Sequence, residues 1–173
     1  DFSAEAERTL QVLDLAVLVV SAADGVQGHT MTLWKLLSQY HIPVFLFVNK
    51  LDQPGTDADV IYQELQERLS EECVDFRLPH GEAFMESIAM CDEEAMEQYL
   101  QTGEVSREKI ARLIRERKLF PCFFGSALKM VGVKELLEGI DTYGEPADYH
   151  TEFGARVYKI TRDPQGNRLT HMK

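Results

Sequence analysis

Four consecutive residues, Asn49-Lys50-Leu51-Asp52, carry side chains that can recognise a purine base. An ionised carboxylate only accepts hydrogen bonds, so Asp52 can accept from both the ring N–H and the exocyclic amino group of guanine. The amide of Asn49 can donate to acceptors of the same base, and the aliphatic stem of Lys50 can lie across its plane. Adenine offers no matching pair of donors. The spacing therefore indicates recognition of guanine.

A second polar segment, Gly125-Ser126-Ala127-Leu128, follows an apolar run. In a tight turn at Ser126 and Ala127, backbone N–H groups can donate to the carbonyl oxygen of guanine. The candidate nucleotide-binding residues are thus Asn49, Lys50, Asp52, Ser126, Ala127 and Leu128. No residue is predicted to be catalytic or to bind a metal ion. A polar loop without a ligand is the alternative, because a four-residue pattern also arises by chance.

Three apolar runs predict strands buried on both faces, and they place both polar segments at strand ends. The runs are Leu15–Val20, Pro43–Val48 and Leu119–Phe124. Helical spacing predicts helices around them, including one over Ser3–Leu13 and one that starts at a capping box of Thr56 and Asp59 and ends near Glu72. Strands that alternate with helices form parallel sheets with right-handed crossovers, which bind ligands at the carboxyl ends of the strands. The sequence therefore predicts an α/β fold with three parallel strands and flanking helices.

Two further segments differ from this pattern. Residues 75–118 are predicted to form a small helical insertion at the edge of the domain, and from His80 to Val105 it carries seven acids and no Lys or Arg. After residue 146, a turn at Asp163–Asn167 between two apolar-polar runs predicts a β-hairpin. We therefore expect one domain over residues 1–146 and the first strands of a second, all-β domain over residues 147–173.

The composition limits the class of protein. With 18 Lys and Arg against 29 Asp and Glu, the 173-residue chain has a net charge of −11, which argues against nonspecific binding to nucleic acid or an anionic membrane. Its apolar runs fall far short of the roughly 20 residues that span a bilayer. The three cysteines, Cys73, Cys91 and Cys122, form no C-x-x-C pair and are odd in number. We expect a soluble, reduced, cytoplasmic protein.

Four segments occur in an order and at a spacing known from one protein family. They are Asp1-Phe2-Ser3-Ala4-Glu5, Asp24-Gly25-Val26-Gln27, Phe47-Val48-Asn49-Lys50-Leu51-Asp52 and Phe124-Gly125-Ser126-Ala127-Leu128. The first segment resembles the residues that complete and follow the D-x-P-G-H-x-D-F motif of translational GTPases. The four segments together resemble elongation factor G and its relatives. Gln53 stands where elongation factor G usually has Arg, and this residue and the short insertion look more like the tetracycline-resistance ribosomal protection proteins.

The resemblance implies a function for a longer parent protein. It implies a truncated P-loop-GTPase-type sheet that recognises the base of GTP or GDP, followed by the opening hairpin of a β-barrel domain. The parent would hydrolyse GTP to GDP on the ribosome, in contact with ribosomal RNA and proteins, and would use Mg²⁺. None of the 11 glycines is followed by Lys, so G-x-x-x-x-G-K-[ST] is absent from this chain. We expect the chain alone to be inactive and Mg²⁺ to bind in the full-length parent only.

Other functions remain open on the sequence. One alternative is a non-catalytic module that binds a protein partner through the acidic helical insertion. A receiver-like signalling domain has the same type of sheet but needs a phosphorylated Asp at a strand end, where this chain has Asn-Lys-x-Asp and Ser-Ala. In the resembled family a further strand lies beside the one predicted at Leu15–Val20. Without it, the chain is expected to self-associate through that exposed strand edge.

Overall fold

The computed structural model describes residues 8–77, 81–145 and 152–173 of the chain. The chain divides into two compact units. The larger unit runs from Leu15 to Glu145, and the smaller one combines the N-terminal segment up to Asp14 with the C-terminal segment from Pro146 to Lys173. All six candidate residues lie in the larger unit. The predicted division of the chain at residue 146 into a nucleotide-binding and a β-barrel domain stays a prediction.

A parallel sheet forms the centre of the larger unit. Its strands are β1 (Ala16–Ser21), β2 (Val44–Asn49), β3 (Cys73–Asp75) and β4 (Phe120–Phe124), in the order β1-β2-β4-β3. Every neighbouring pair is parallel, and the register pairs Ser21 with Asn49 and Val48 with Phe124. The predicted parallel α/β sheet is confirmed. Strand β3 was not predicted, and it lies where the helix before it was expected to end and the insertion to begin.

Helices cover the sheet and complete the insertion. They are α1 (Gly28–Gln39), α2 (Ala58–Arg68), α3 (Glu82–Ala89), α4 (Glu93–Thr102), α5 (Arg107–Arg115) and α6 (Val133–Tyr143). The predicted capping box at α2 is wrong, because Asp57 is the N-cap and its carboxylate accepts from the N–H groups of Asp59 and Val60 at 2.8 and 3.3 Å. The hydroxyl of Thr56 instead donates to the carbonyls of Leu51 and Gln53.

The strands differ in burial. Strands β2 and β4 have apolar side chains buried on both faces, as their sequences predict. In β1, Leu18 and Val20 are buried, whereas Val17 and Val19 are 37% and 55% exposed. The prediction that this strand is buried on both faces is therefore wrong. Because β1 lies at the end of the sheet, fewer elements are available to cover its second face.

The insertion shares the core of the sheet. Side chains of α3 and α5, among them Phe84, Ile88, Leu113 and Ile114, belong to the same buried cluster as Phe45 and Phe123 of the sheet. Burying these side chains stabilises the fold by about 1.5–3 kcal/mol each. The helices of the insertion are therefore part of one hydrophobic core with the strands.

The smaller unit contains the predicted hairpin. Strands β5 (Val157–Arg162) and β6 (Arg168–Met172) pair antiparallel. The carboxylate of Asp163 accepts from the backbone N–H groups of Gln165 and Asn167, which fixes the turn. Residues 8–10 are helical, while residues 1–7 of the helix predicted at Ser3–Leu13, and the family-like segment Asp1–Glu5, lie outside the described residues. Residues 147–151 of the predicted second domain also lie outside them. In the parts of the chain that are described, no helix is long and apolar enough to cross a membrane.

Candidate functional site

The carboxyl ends of β1, β2 and β4 are joined by backbone hydrogen bonds into one edge. The N–H of Ala22 donates to the carbonyl of Asn49 at 2.8 Å, and the N–H of Gly125 donates to the carbonyl of Val48 at 2.9 Å. The N–H of Leu51 donates back to the carbonyl of Gly125 at 3.1 Å. The two polar segments singled out in the sequence are therefore neighbours in space, at the edge where parallel sheets bind ligands.

Asn49 holds the two loops together. Its Oδ1 accepts from the N–H of Lys50 at 2.8 Å and from the N–H of Ala127 at 2.9 Å. Both bonds use the carbonyl oxygen of the amide, so its NH₂ group can still donate to a ligand. Asn49 is thus suited to fix the loop geometry and to contact a base at the same time.

Lys50 has an unusual backbone conformation in the loop after β2. Its φ of 68° lies in the left-handed region, which is uncommon for residues other than glycine. The N–H of Lys50 is held by Asn49, and its carbonyl accepts from the N–H of Gln53 at 3.1 Å. This turn places Asp52 at the edge of the sheet, and residues held in such conformations are concentrated at functional sites.

Asp52 is held as an ionised acceptor. Its pKa is lowered, chiefly by a hydrogen bond from the Ser126 hydroxyl and also by Lys129, whose Nζ lies 3.5 Å from Oδ2. The Ser126 side chain is buried, whereas the side chain of Asp52 is 22% exposed. Asp52 can therefore accept hydrogen bonds from a ligand that approaches from solvent.

The second loop is closed on itself. Ser126 and Val131 exchange two backbone hydrogen bonds of 3.0 Å each. A Cβ on Gly125 would lie 2.0 Å from the carbonyl oxygen of Val131, and Gly132 has a φ of 77°, so both positions require glycine. This construction fixes the positions of Ala127 and Leu128, whose side chains are exposed.

The free N–H of this loop is not the one that the sequence suggested. The N–H of Ser126 already donates to Val131, and the N–H of Ala127 donates to Asn49. Within the described residues, the N–H of Leu128 has no acceptor, so it is the donor that this turn offers to a ligand. The predicted donation from Ser126 and Ala127 stays a prediction, and in this structure loop closure and the tie to Asn49 already use both of these N–H groups.

Two residues that sequence reasoning missed hold the loop after β1. Oε1 of Glu64 accepts from the N–H of Val26 at 3.1 Å and from the guanidinium of Arg68 at 2.9 Å, and Arg68 also donates to the carbonyl of Val26. A Cβ on Gly25 would lie 2.4 Å from the Glu64 carboxylate. The signal in the sequence is the i, i+4 spacing of Glu64 and Arg68 on α2. That spacing, however, also occurs on helices that contact only solvent.

The described residues contain no group of three or more His, Cys, Asp or Glu that could hold a metal ion. The three cysteines are free. Burial raises the pKa of Cys91 to about 12 and also raises the pKa of Cys122. The geometry therefore supports hydrogen-bonded recognition of a ligand at the loops after β2 and β4.

Known proteins resemble this chain in sequence and in fold. The family described as the elongation factor Tu GTP binding domain matches residues 1–146. Elongation factor G of Ureaplasma parvum serovar 3 is 28% identical over 241 residues, which cover 100% of the chain and 35% of that protein. The tetracycline resistance protein TetO of Streptococcus pneumoniae is 32% identical over 191 residues, which cover 100% of the chain and 30% of that protein. The chain thus spans about a third of the length of these relatives.

A solved structure supports the fold. The crystal structure of ttk003000868 from Thermus thermophilus superposes with a TM-score of 0.79 at 22% sequence identity. The match covers 99% of this chain and 33% of that one. At this identity the match establishes the shared fold, including the parallel sheet that carries the loops after β2 and β4.

Proposed function

Because the chain belongs to the elongation factor Tu GTP-binding domain family, we propose that it is the guanine-recognition part of a ribosome-associated GTPase translation factor that hydrolyses GTP to GDP. The observation that carries the proposal is the joined pair of loops, in which the N–H of Ala127 donates to Asn49 and the ammonium group of Lys129 lies 3.5 Å from Asp52. The whole protein would act in the cytoplasm on ribosomal RNA and ribosomal proteins. The names of the relatives, elongation factor G and TetO, support this assignment.

The chemistry of the loops favours guanine over the other bases. The carboxylate of Asp52 can accept from the N1–H and the 2-amino group, and the NH₂ of Asn49 can donate to an acceptor on the ring. The N–H of Leu128 can donate to the carbonyl oxygen at position 6. Adenine has an amino group at that position and no N1–H, so it would leave both Asp52 and Leu128 without partners. A polar group without a partner costs about 1–3 kcal/mol where it is buried.

The length of the matching segments favours the ribosomal protection type within the family. The match to elongation factor G extends over 241 residues and the match to TetO over 191, against 173 residues in this chain. The matching segment of TetO is therefore closer in length to this chain than the matching segment of elongation factor G. We propose that the parent is of the ribosomal protection type and that its function is tetracycline resistance.

Binding of the GTP phosphates requires residues other than the six candidate residues. The sequence contains no G-x-x-x-x-G-K-[ST], whose backbone cradles the phosphates and whose hydroxyl binds Mg²⁺. We therefore assign base recognition to this chain, and phosphate binding, Mg²⁺ and hydrolysis to other parts of the parent protein.

The proposal is tested by changing the base that the site accepts. In the full-length protein, Asp52→Asn replaces one acceptor by an NH₂ group that opposes the 2-amino group of guanine. Xanthine has a carbonyl at position 2, which this NH₂ can bind. Competition binding of GTP, XTP and ATP should show GTP weakened by on the order of 1–3 kcal/mol and preference moved towards XTP.

Asp57→Asn is the matched control for this experiment. It makes the same chemical change at the N-cap of α2, where Asn caps as well as Asp, and should leave base preference unchanged. Unchanged GTP affinity and no gain for XTP in Asp52→Asn would show that Asn49-Lys50-Leu51-Asp52 does not recognise guanine.

A further inference from the structure

Lys129 links the loop after β4 to the proposed guanine acceptor. Its Nζ lies 3.5 Å from Oδ2 of Asp52. Its backbone N–H donates to the carbonyl of Ser126 at 3.1 Å and lies 3.4 Å from the Ser126 hydroxyl oxygen. Lys129 is therefore tied to Ser126 by its backbone and to Asp52 by its side chain.

The position of Lys129 is fixed by the closed loop that carries it. The loop is tied by the paired backbone of Ser126 and Val131, and its Ala127 N–H is bound to Asn49. The side chain of Lys129 is 60% exposed, but its Cα cannot move far from Asp52 without breaking these bonds. The ammonium group is thus presented to Asp52 from the side of the β4 loop.

The carboxylate of Asp52 can accept from several hydrogen-bond donors at once. Two carboxylate oxygens provide about four lone-pair sites. The Lys129 ammonium group approaches Oδ2 from the loop after β4, and the other lone pairs stay available to a ligand. A guanine base presents two donors at this edge, its N1–H and its 2-amino group.

We propose that Lys129 is a positioning residue that orients Asp52, so that its two oxygens face the two donors of guanine. The inference rests on the proposed function, since it concerns how the same site distinguishes guanine from bases with one donor. Without the ion pair the carboxylate would rotate more freely about its Cβ–Cγ bond, whereas an ammonium group carried by the closed loop after β4 restricts that rotation. Lys129 would therefore contribute more to a base that needs both oxygens than to a base that needs one.

Inosine and guanosine diphosphates provide the comparison. Hypoxanthine keeps the N1–H and lacks the 2-amino group, and the two diphosphates are otherwise identical, so contributions of the phosphates and ribose cancel in the ratio of their dissociation constants. Lys129→Met keeps the length of the side chain and removes its charge. In the full-length protein, calorimetry should show the preference for GDP over IDP reduced about two- to fivefold, the range expected for an exposed ion pair.

Two further variants serve as controls for Lys129→Met. Lys129→Arg keeps the donor and should restore most of the preference, whereas Lys134→Met removes a lysine from the exposed pair with Glu138 on α6 and should change nothing. An equal loss for GDP and IDP, an unchanged ratio, or tighter GDP binding in Lys129→Met would overturn the positioning role. If the unchanged protein binds GDP no better than IDP or ADP, the proposed function itself fails.

Discussion

Asn49 connects three loops of the site. Its backbone carbonyl accepts from Ala22 after β1, and its side-chain oxygen accepts from Lys50 after β2 and from Ala127 after β4. Only a side chain with an acceptor and a donor on one short stem can hold a neighbouring loop and still donate to a base. The role of Asn49 is therefore both structural and direct.

This double role predicts how Asn49→Ala behaves. Loss of the amide removes the tie to Ala127 without changing the groups that face position 2 of the base. GTP and XTP should both bind the full-length protein more weakly, by about 1 kcal/mol or more, with their ratio unchanged. Titration of each nucleotide measures this. Asn167→Ala, at the hairpin turn, is the control, and a selective loss of GTP alone would contradict the prediction.

The sequence predicted residue types better than residue contacts. Asn49 and Asp52 could be proposed because few side chains match the donor pattern of guanine. The roles of Leu128 and Lys129 could not be deduced. They depend on which N–H groups the loop closure uses and on how closely the loop after β4 approaches the loop after β2, and neither is encoded in local sequence.

At the scale of elements, helices α4 and α5 are joined through Asp92. Its carboxylate caps α4 at the N–H of Ala95 and pairs with Lys109 of α5 at 2.5 Å and with Lys118 at 2.9 Å. Hydrogen bonds from these two lysines lower the pKa of Asp92 from 3.8 to about 2. The insertion is thus fastened by charge as well as by its apolar core.

The stability of the chain should depend on this carboxylate in acid. Because the folded pKa of Asp92 lies below its unfolded value, its contribution is present above about pH 4 and is lost as the pH falls towards 2. Asp92→Asn keeps a cap but removes the charge. Urea unfolding followed by circular dichroism from pH 5 to 2 should therefore show a shallower loss of unfolding free energy in the variant.

A control separates this effect from capping. Asp57→Asn makes the same change at the N-cap of α2, where Asn caps as well as Asp, so the difference between the two variants isolates the lysine pairs of Asp92. Equal pH dependence in Asp92→Asn and the unchanged chain would show that the lysine pairs do not stabilise the fold.

A second prediction at this scale concerns self-association through strand β1. It lies at the end of the sheet, with Val17 and Val19 exposed, and in the larger unit the described residues place no strand on its outer side. An apolar strand with unpaired backbone groups is a template for pairing with another chain. We expect the 173-residue chain to self-associate through β1, with a sedimentation coefficient that rises with concentration in the high micromolar range.

A charge on the strand should prevent this association. Val19→Lys places an ammonium group on the exposed face of β1, whereas Val60→Lys makes the same change at a comparably exposed site on α2. The first variant should sediment as a monomer and the second should associate like the unchanged chain. Monomers at every concentration, with β1 amides exchanging freely, would contradict the prediction.

The helices and strands differ in how well their sequences predicted them. The apolar strands and the periodic helices were predicted because each has a run or a repeat of apolar residues that is long enough to recognise in the sequence. Strand β3 was missed because three residues, Cys73–Asp75, are too few to show a period. Thr56 and Asp57 are both common N-cap residues, and only the three-dimensional contacts of Thr56 with the preceding loop decide between them.

At the scale of the whole molecule, base recognition and catalysis are separable. The loops after β2 and β4 contact the base in our proposal, and the base is chemically unchanged in hydrolysis. Interactions that are equal in the ground state and the transition state contribute to binding and leave the chemical step unaffected. Phosphoryl transfer to water depends on groups that position the water and neutralise charge on the phosphates.

The chain of 173 residues should therefore release no phosphate from GTP. Its sequence lacks the phosphate-cradling motif G-x-x-x-x-G-K-[ST]. A phosphate-release assay with GTP and Mg²⁺ should give the same signal for the purified chain and for Asp52→Ala, which removes base recognition and leaves any contaminating GTPase untouched. Turnover that Asp52→Ala abolishes would show that this chain binds the phosphates with residues outside the known motif, and the separation of recognition from catalysis would be wrong.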